Sequence, residues 1–160
     1  MNRRFLSRSA GGLILAAGLA RVSAAPVSNA RADEPRPHRI SFHVGSGDPM
    51  MMNVALHNII NAAEFYAGRH ETVAIELVAN GPGYTMLRAD TSPVKPLITE
   101  VHAKFPFVVF SACQNSRAAI AKAEGKAPQD IPQVPEATDV PAGIVRLSEL
   151  QEQGWSYIRV

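Results

Sequence analysis

The order of the apolar runs constrains this chain more than any other feature. From residue 39 onward, short β-branched or aromatic runs alternate with longer segments whose apolar residues recur at helical spacing, in the order β-α-β-α-β-α-(β)-α-β. Strands separated by helices of that length pair in parallel, because the crossover carries the chain back to the end where the previous strand began. The expected fold is therefore α/β, a three-layer sandwich with a mostly parallel sheet of four or five strands. A chain of 160 residues has the length of one domain.

The pieces carry their own punctuation. "RISFHV" (39–44) alternates and reads as a strand. Asp48 followed by Pro49 is a helix start, a capping side chain ahead of a proline that needs no N–H. Met52, Leu56, Ile59, Ala63 and Tyr66 then mark one helix face. "TVAIELVA" (72–79) and "FVVFSA" (107–112) are strands, and "NGPGY" breaks the chain between them. Ser92-Pro93 opens a helix with Val94, Leu97, Ile98, Val101 and Phe105 in a stripe. "NSRAAIAKAEG" is a short helix stopped by Gly125, a short strand is expected near 134–138, "GIVRLSELQEQG" is a helix ended by Gly154, and "WSYIRV" is a last strand. In open parallel sheets the reactive groups gather beyond the carboxyl ends of strands, which selects the loops "GSGDP", "NGPGY" and "ACQNS".

Residues 1–32 read as an export signal and cleavage region rather than as fold. A basic start (Arg3, Arg4, Arg8) precedes a Gly/Ala-rich apolar stretch too short to span a bilayer, then small residues suited to cleavage after Ala24, Ala30 or Ala32. The Arg3-Arg4 pair resembles a twin-arginine signal, with Sec export open as the other route. The expected location is the periplasm, with the folded domain spanning 33–160 and no membrane association after cleavage. Cutting after Ala32 removes five of the 16 basic residues and none of the 14 acids, leaving three more acids than bases. The basic charge thus belongs to the signal, and the domain gives no electrostatic argument for nucleic-acid binding.

Cys113 is the single cysteine. It excludes an internal disulfide and every multi-cysteine metal pattern, and the histidines make no metal-ligand spacing. No metal or cofactor is expected. At a strand-to-helix junction Cys113 has two readings. Unpaired N–H groups at the helix start would favour a partly exposed, acidic thiol, or the side chain is a small buried hydrophobe. Gly81 and Gly83 also have two readings, backbone donors for an anion or glycines required by a turn. His43 is left without an assigned face.

"HRISFHV…ALHNIINAAEFY", "ELVANGPGYTML", "SACQNS" and "VPAGIVRLSELQEQGWSYI" together resemble the DsrE/DsrF-like superfamily, from about residue 38 onward. The resemblance implies a parallel α/β fold that assembles as a homotrimer or homohexamer. It also implies a cysteine after a central strand that carries sulfur as a persulfide, exchanged with a donor or acceptor protein. Carried onto this chain, it makes Cys113 the catalytic residue and assigns ligand binding to Asn80, Gly81, Gly83, Asn115 and Ser116. With no second thiol, dithiol chemistry within one protein is excluded. The functional expectation is an exported protein that handles sulfur or thiols through Cys113. The alternative is a non-catalytic oligomeric module that binds a small ligand around a structural Cys113.

Overall fold

The structure is a computed structural model and describes residues 37–160; the expected export signal lies outside the described residues. The chain runs β1 (His38–Val44), α1 (Pro49–Gly68), β2 (Val73–Ala79), a 3-10 segment (Gly81–Leu87), α2 (Lys95–Lys104), β3 (Val108–Cys113), α3 (Gln114–Ala123), β4 (Ala137–Val140), α4 (Gly143–Glu152) and β5 (Ser156–Arg159). All five strands are parallel, in the order β4-β3-β2-β1-β5. The expected three-layer α/β sandwich is present, with five strands.

That strand order decides the layers. The crossovers β1-α1-β2, β2-α2-β3 and β3-α3-β4 all step the same way along the sheet, so their right-handedness puts α1, α2 and α3 on one face. From β4 the chain reverses and travels to the far edge beyond β1, which puts α4 on the opposite face. The alternation of side chains along a strand then sorts residues strictly by face. Ile40, Phe42, Val44, Ile75, Leu77, Ala79, Val108, Phe110 and Ala112 join α1–α3 in the main hydrophobic core. On the α4 side the buried apolar cluster is Val78, Leu147 and Leu150, with Trp155 partly buried against it.

Local chemistry sets the element ends. The Asp48 carboxylate accepts from the Met50 N–H at 2.9 Å and Pro49 begins α1, as the sequence predicts. Gly125 and Gly154 have φ of 66° and 83° and end α3 and α4. Two boundaries move. The Ser92 hydroxyl accepts from the Val94 N–H and donates to the Met86 carbonyl, so these residues form a turn and α2 starts only at Lys95. The short strand lies at Ala137–Val140 rather than near 134–138, because Val134 is drawn into the main core and its N–H pairs with the Leu87 carbonyl.

Candidate functional site

Cys113 is the last residue of β3 and the N-cap of α3, so one residue ends a buried strand and starts a helix. Strand alternation turns its side chain to the α4 face, alongside Ser111 and Val109. There it meets the start of α4. A Cβ added to Gly143 would lie 3.2 Å from the Cys113 Cβ, 2.8 Å from the Asn80 Cβ and 3.3 Å from Val78 Cγ1. Gly143 is therefore glycine for lack of space, and its backbone roofs the thiol.

The roof corrects one expectation. A helix-end cysteine beyond a parallel strand is expected to be partly exposed, but Cys113 is only 4% exposed. The covering group comes from thirty residues further along the chain, brought over the sheet by the β4-α4-β5 crossover. Burial alone pushes the thiol pKa up. The Ser116 hydroxyl and the backbone N–H groups of Gly143, Ser116 and Asn115 act against it and leave the pKa below the ordinary thiol value. These donors come from the amino ends of two helices, α3 and α4, whose dipoles both favour negative charge at the sulfur.

The other sequence-identified residues lie next to it. The Gly81 N–H donates to Ser116 Oγ at 2.7 Å, which fixes the hydroxyl so that its own hydrogen can turn to the sulfur. Gly81 has φ of 52°, a conformation that favours glycine. A Cβ on Gly83 would lie 2.1 Å from the Val44 carbonyl oxygen, and the Gly83 N–H donates to the Asn80 carbonyl. Both glycines have a turn-and-packing reason, and both N–H groups have partners within the protein. Gly81, Asn115 and Ser116 also line a shallow hollow of about 470 Å³ beside α3.

Asn80 follows β2. The pairing Ala79–Ala112 continues by one residue to set Asn80 opposite Cys113. Its Oδ1 lies 2.8 Å from His43 Nε2, and His43 Nδ1 lies 2.7 Å from the Tyr157 hydroxyl. This settles the face of His43. Tyr157 on β5, His43 on β1, Asn80 after β2 and Cys113 on β3 form a row across four strands on the α4 side. Sequence reasoning missed Gly143, His43 and Tyr157 as members of the site. The alternation in "SFHV" and "WSYI" put His43 and Tyr157 on one face or the other, but choosing the face needed the strand order.

Nearer the middle of the same face, Glu76 is buried and accepts from Arg146 Nε and Nη2, both at 2.7 Å, and from the Ser111 hydroxyl at 2.5 Å. The group forms the floor of a cleft of about 410 Å³ whose walls include Val109, Val140, Ala142 and Val145. Val140 pairs with Cys113 in the β3–β4 register and Ala142 precedes Gly143, so two residues of the cleft wall neighbour the thiol and its roof, although Cys113 itself does not line the cleft. Among the described residues, no three His, Cys, Asp or Glu side chains converge as a metal site, and no helix is long and apolar enough to cross a membrane.

No family model matches the chain, and no curated protein matches it. Among solved structures, it is similar to a protein of unknown function from Methanobacterium thermoautotrophicum, MTH1491, with a TM-score of 0.63 and 28% identity. The match covers 77% of this chain and 99% of that one.

Proposed function

We propose that this protein handles sulfur through Cys113, taking up a sulfane sulfur as a persulfide and passing it on. One observation carries the reading: the buried Cys113 side chain lies between the amino ends of α3 and α4, whose N–H groups, with the Ser116 hydroxyl, offset burial and favour the thiolate. A structural cysteine needs no such donors, and burial without them would favour the neutral thiol. The thiolate is the attacking form, and a persulfide anion built on the same sulfur would be stabilised by the same N–H groups. The resemblance to the DsrE/DsrF-like superfamily points the same way, as does Cys113 being the only thiol in the chain.

The test is mass spectrometry of the folded protein after incubation with polysulfide. Wild type gains sulfur on Cys113, and Cys113→Ser gains none. A wild-type protein that takes up sulfur only after denaturation would overturn the proposal. The second reading, a non-catalytic oligomeric module binding a small ligand around a structural Cys113, draws support from the thiol's 4% exposure and from the 410 Å³ cleft beside it.

Two further parts belong to the same proposal. The protein acts in the periplasm after removal of residues 1–32, and N-terminal sequencing of protein from the native host tests this. An intact Met1 would sink it. It also works as a homotrimer or homohexamer. The exposed apolar residues Val109, Ile144, Val145, Tyr157 and Ile158 on β3, α4 and β5 support association. Light scattering that finds only monomer at micromolar concentration would count against it.

A further inference from the structure

We propose that Asn80-Gly81 is a modification site, a labile asparagine–glycine pair that the closed fold holds unreacted. It converts to aspartate or isoaspartate when α4 and β5 lift from the sheet, and the isoaspartate form cannot close again. The inference is independent of the sulfur-handling reading. It starts from the loop "NGPG" after β2 and from the contacts that close over it.

Glycine leaves an asparagine before it open to reaction, because it has no side chain to shield its own nitrogen. The Gly81 nitrogen attacks Asn80 Cγ, the N–Cγ bond forms, the Cγ–Nδ2 bond breaks, and ammonia leaves with the backbone amide proton. A succinimide ring remains. Water from the solvent then opens the ring at either carbonyl. Opening at Cγ gives aspartate on the normal main chain. Opening at the Asn80 main-chain carbonyl gives isoaspartate, whose main chain runs through Cβ and gains a carbon. Nothing is oxidised or reduced.

The closed fold opposes the first step. Ring closure has to eclipse Asn80 Cβ with the Gly81 nitrogen, and ψ of 171° at Asn80 keeps them staggered. The Gly81 N–H is tied to Ser116 Oγ at 2.7 Å. The Asn80 N–H donates to the Val44 carbonyl and the Asn80 carbonyl accepts from the Gly83 N–H, so neither peptide plane turns freely. Oδ1 accepts from His43 Nε2 at 2.8 Å, and Tyr157 holds the other ring nitrogen. The His43 bond polarises Cγ, which favours attack, but reach decides, since a misplacement of about 1 Å costs on the order of a hundredfold. Gly143 closes the remaining side, where a Cβ on it would lie 2.8 Å from Asn80 Cβ.

Two of these restraints, Gly143 and Tyr157, come from α4 and β5. β5 is an edge strand paired only with β1 and exposed along its length, and the buried apolar cluster beneath α4 is Val78, Leu147 and Leu150. Segments that bury so little apolar surface open first. Opening releases the Asn80 side chain for ring closure, and isoaspartate then blocks the return. Its extra carbon has to fit between the β2–β3 pairing that ends at Ala79 and Gly83, where an added Cβ would lie 2.1 Å from the Val44 carbonyl oxygen.

The experiment maps position 80 by mass spectrometry after incubating the full chain at neutral pH, folded in buffer or denatured in guanidinium chloride. Fragmentation separates aspartate from isoaspartate. Denatured wild type converts at least about tenfold faster than folded wild type. Ser116→Ala frees the Gly81 N–H and raises the folded rate by roughly two- to tenfold, the range of one neutral hydrogen bond, without changing the denatured rate. Arg146→Ala, which removes the ion pair that ties α4 to β2, raises the folded rate further. When the denatured sample is returned to buffer, the refolded fraction carries asparagine and aspartate at position 80, and the fraction that fails to refold carries the isoaspartate. Equal folded and denatured rates, a folded rate that either variant leaves unmoved, or isoaspartate shared equally between the two fractions overturns the inference.

Discussion

On the α1–α3 side of the sheet, the central strands present Phe42, Val44, Ile75, Leu77, Val108 and Phe110, all buried and all apolar. On the α4 side the same strands present Ser41, His43, Glu76, Ser111 and Cys113, interrupted by Val78 and by a Val109 that is 40% exposed. Three helices cover the first face and one covers the second. The difference separates two tasks. Burial on the first face supplies the stability, roughly 25 cal/mol for each Å² of apolar surface removed from water. The second face can therefore hold polar groups whose arrangement matters more than their burial, provided each one is paired. The pairing is visible: Glu76 has Arg146 and Ser111, Ser41 has the Ser156 carbonyl, and His43 has Asn80 and Tyr157.

The strongest way to break the contrast is a cavity on the apolar side. Phe110→Ala, at a fully buried position, is expected to cost about 3–5 kcal/mol. Urea denaturation reads this as a lower midpoint, while the pH dependence of Cys113 alkylation in the folded fraction stays as in wild type. A change in that profile as large as the stability loss would show that the two faces are not separate.

A somewhat smaller effect is expected from the polar face. Arg146→Ala leaves Glu76 buried without its bidentate partner and should cost toward 3 kcal/mol, the low end of the range for a broken buried pair. Replacing both residues at once, Glu76→Leu with Arg146→Met, is expected to recover most of that loss, since an apolar pair of similar volume needs no partner. If the double variant is no more stable than Arg146→Ala in the same denaturation series, the ion pair is not what the polar face depends on.

Titration sharpens the comparison from both ends of the pH scale. Beside α3, Arg88 bonds to Asp90 and Glu124 and holds each carboxyl down at about 2. Unfolded carboxyls titrate near about 4. Their contribution is complete above that value and is lost as the pH falls toward 2. Asp90→Asn and Glu124→Gln should flatten the acid limb of a pH–stability curve and leave its alkaline limb alone. Cys113 works at the other end. Its folded pKa is lowered, so its contribution is complete above the unfolded value of about 8.5 and fades as the pH falls through the folded one. Wild type should gain on Cys113→Ser as the pH rises into the alkaline range, and a constant difference would rule out an acidified thiol.

The smallest effect on stability, under about 1 kcal/mol, is expected from Ser116→Ala, which removes a half-buried hydroxyl in the first turn of α3 that accepts from the Gly81 N–H. It should nonetheless raise the thiol pKa and slow alkylation at neutral pH. Unchanged alkylation would remove Ser116 from the site.

The sequence is most legible where a property is local. Asp48-Pro49 caps α1, Gly125 and Gly154 end helices, and the strand-helix alternation gives a parallel sheet, all within a few residues of their cause. Cys113, Asn115 and Ser116 are close in sequence, and the parallel-sheet rule brings Asn80 and Gly81 to the same end. What stays hidden depends on the strand order. The run "VAIELVA" reads as uniformly apolar except for Glu76, and nothing nearby says that Arg146, seventy residues on, will neutralise it. Gly143 reads as a helix-start glycine until the crossover lays it against Cys113. The expectation of a partly exposed thiol fails for that reason, since its roof is not local.

The long step from β4 to β5 has a consequence in time. During synthesis the ribosome delivers β1 through β4, and with them the whole apolar face, before it delivers Gly143. A chain halted at that stage has its main core and the sulfur atom, but lacks the α4 amide that helps to acidify it and the β5 hydroxyl that steadies His43. The Ser116 hydroxyl and the N–H groups of Asn115 and Ser116 already stand beside the sulfur at that stage, so the last crossover brings the Gly143 amide and the roof together. The site is closed by the final segment of the chain to be made.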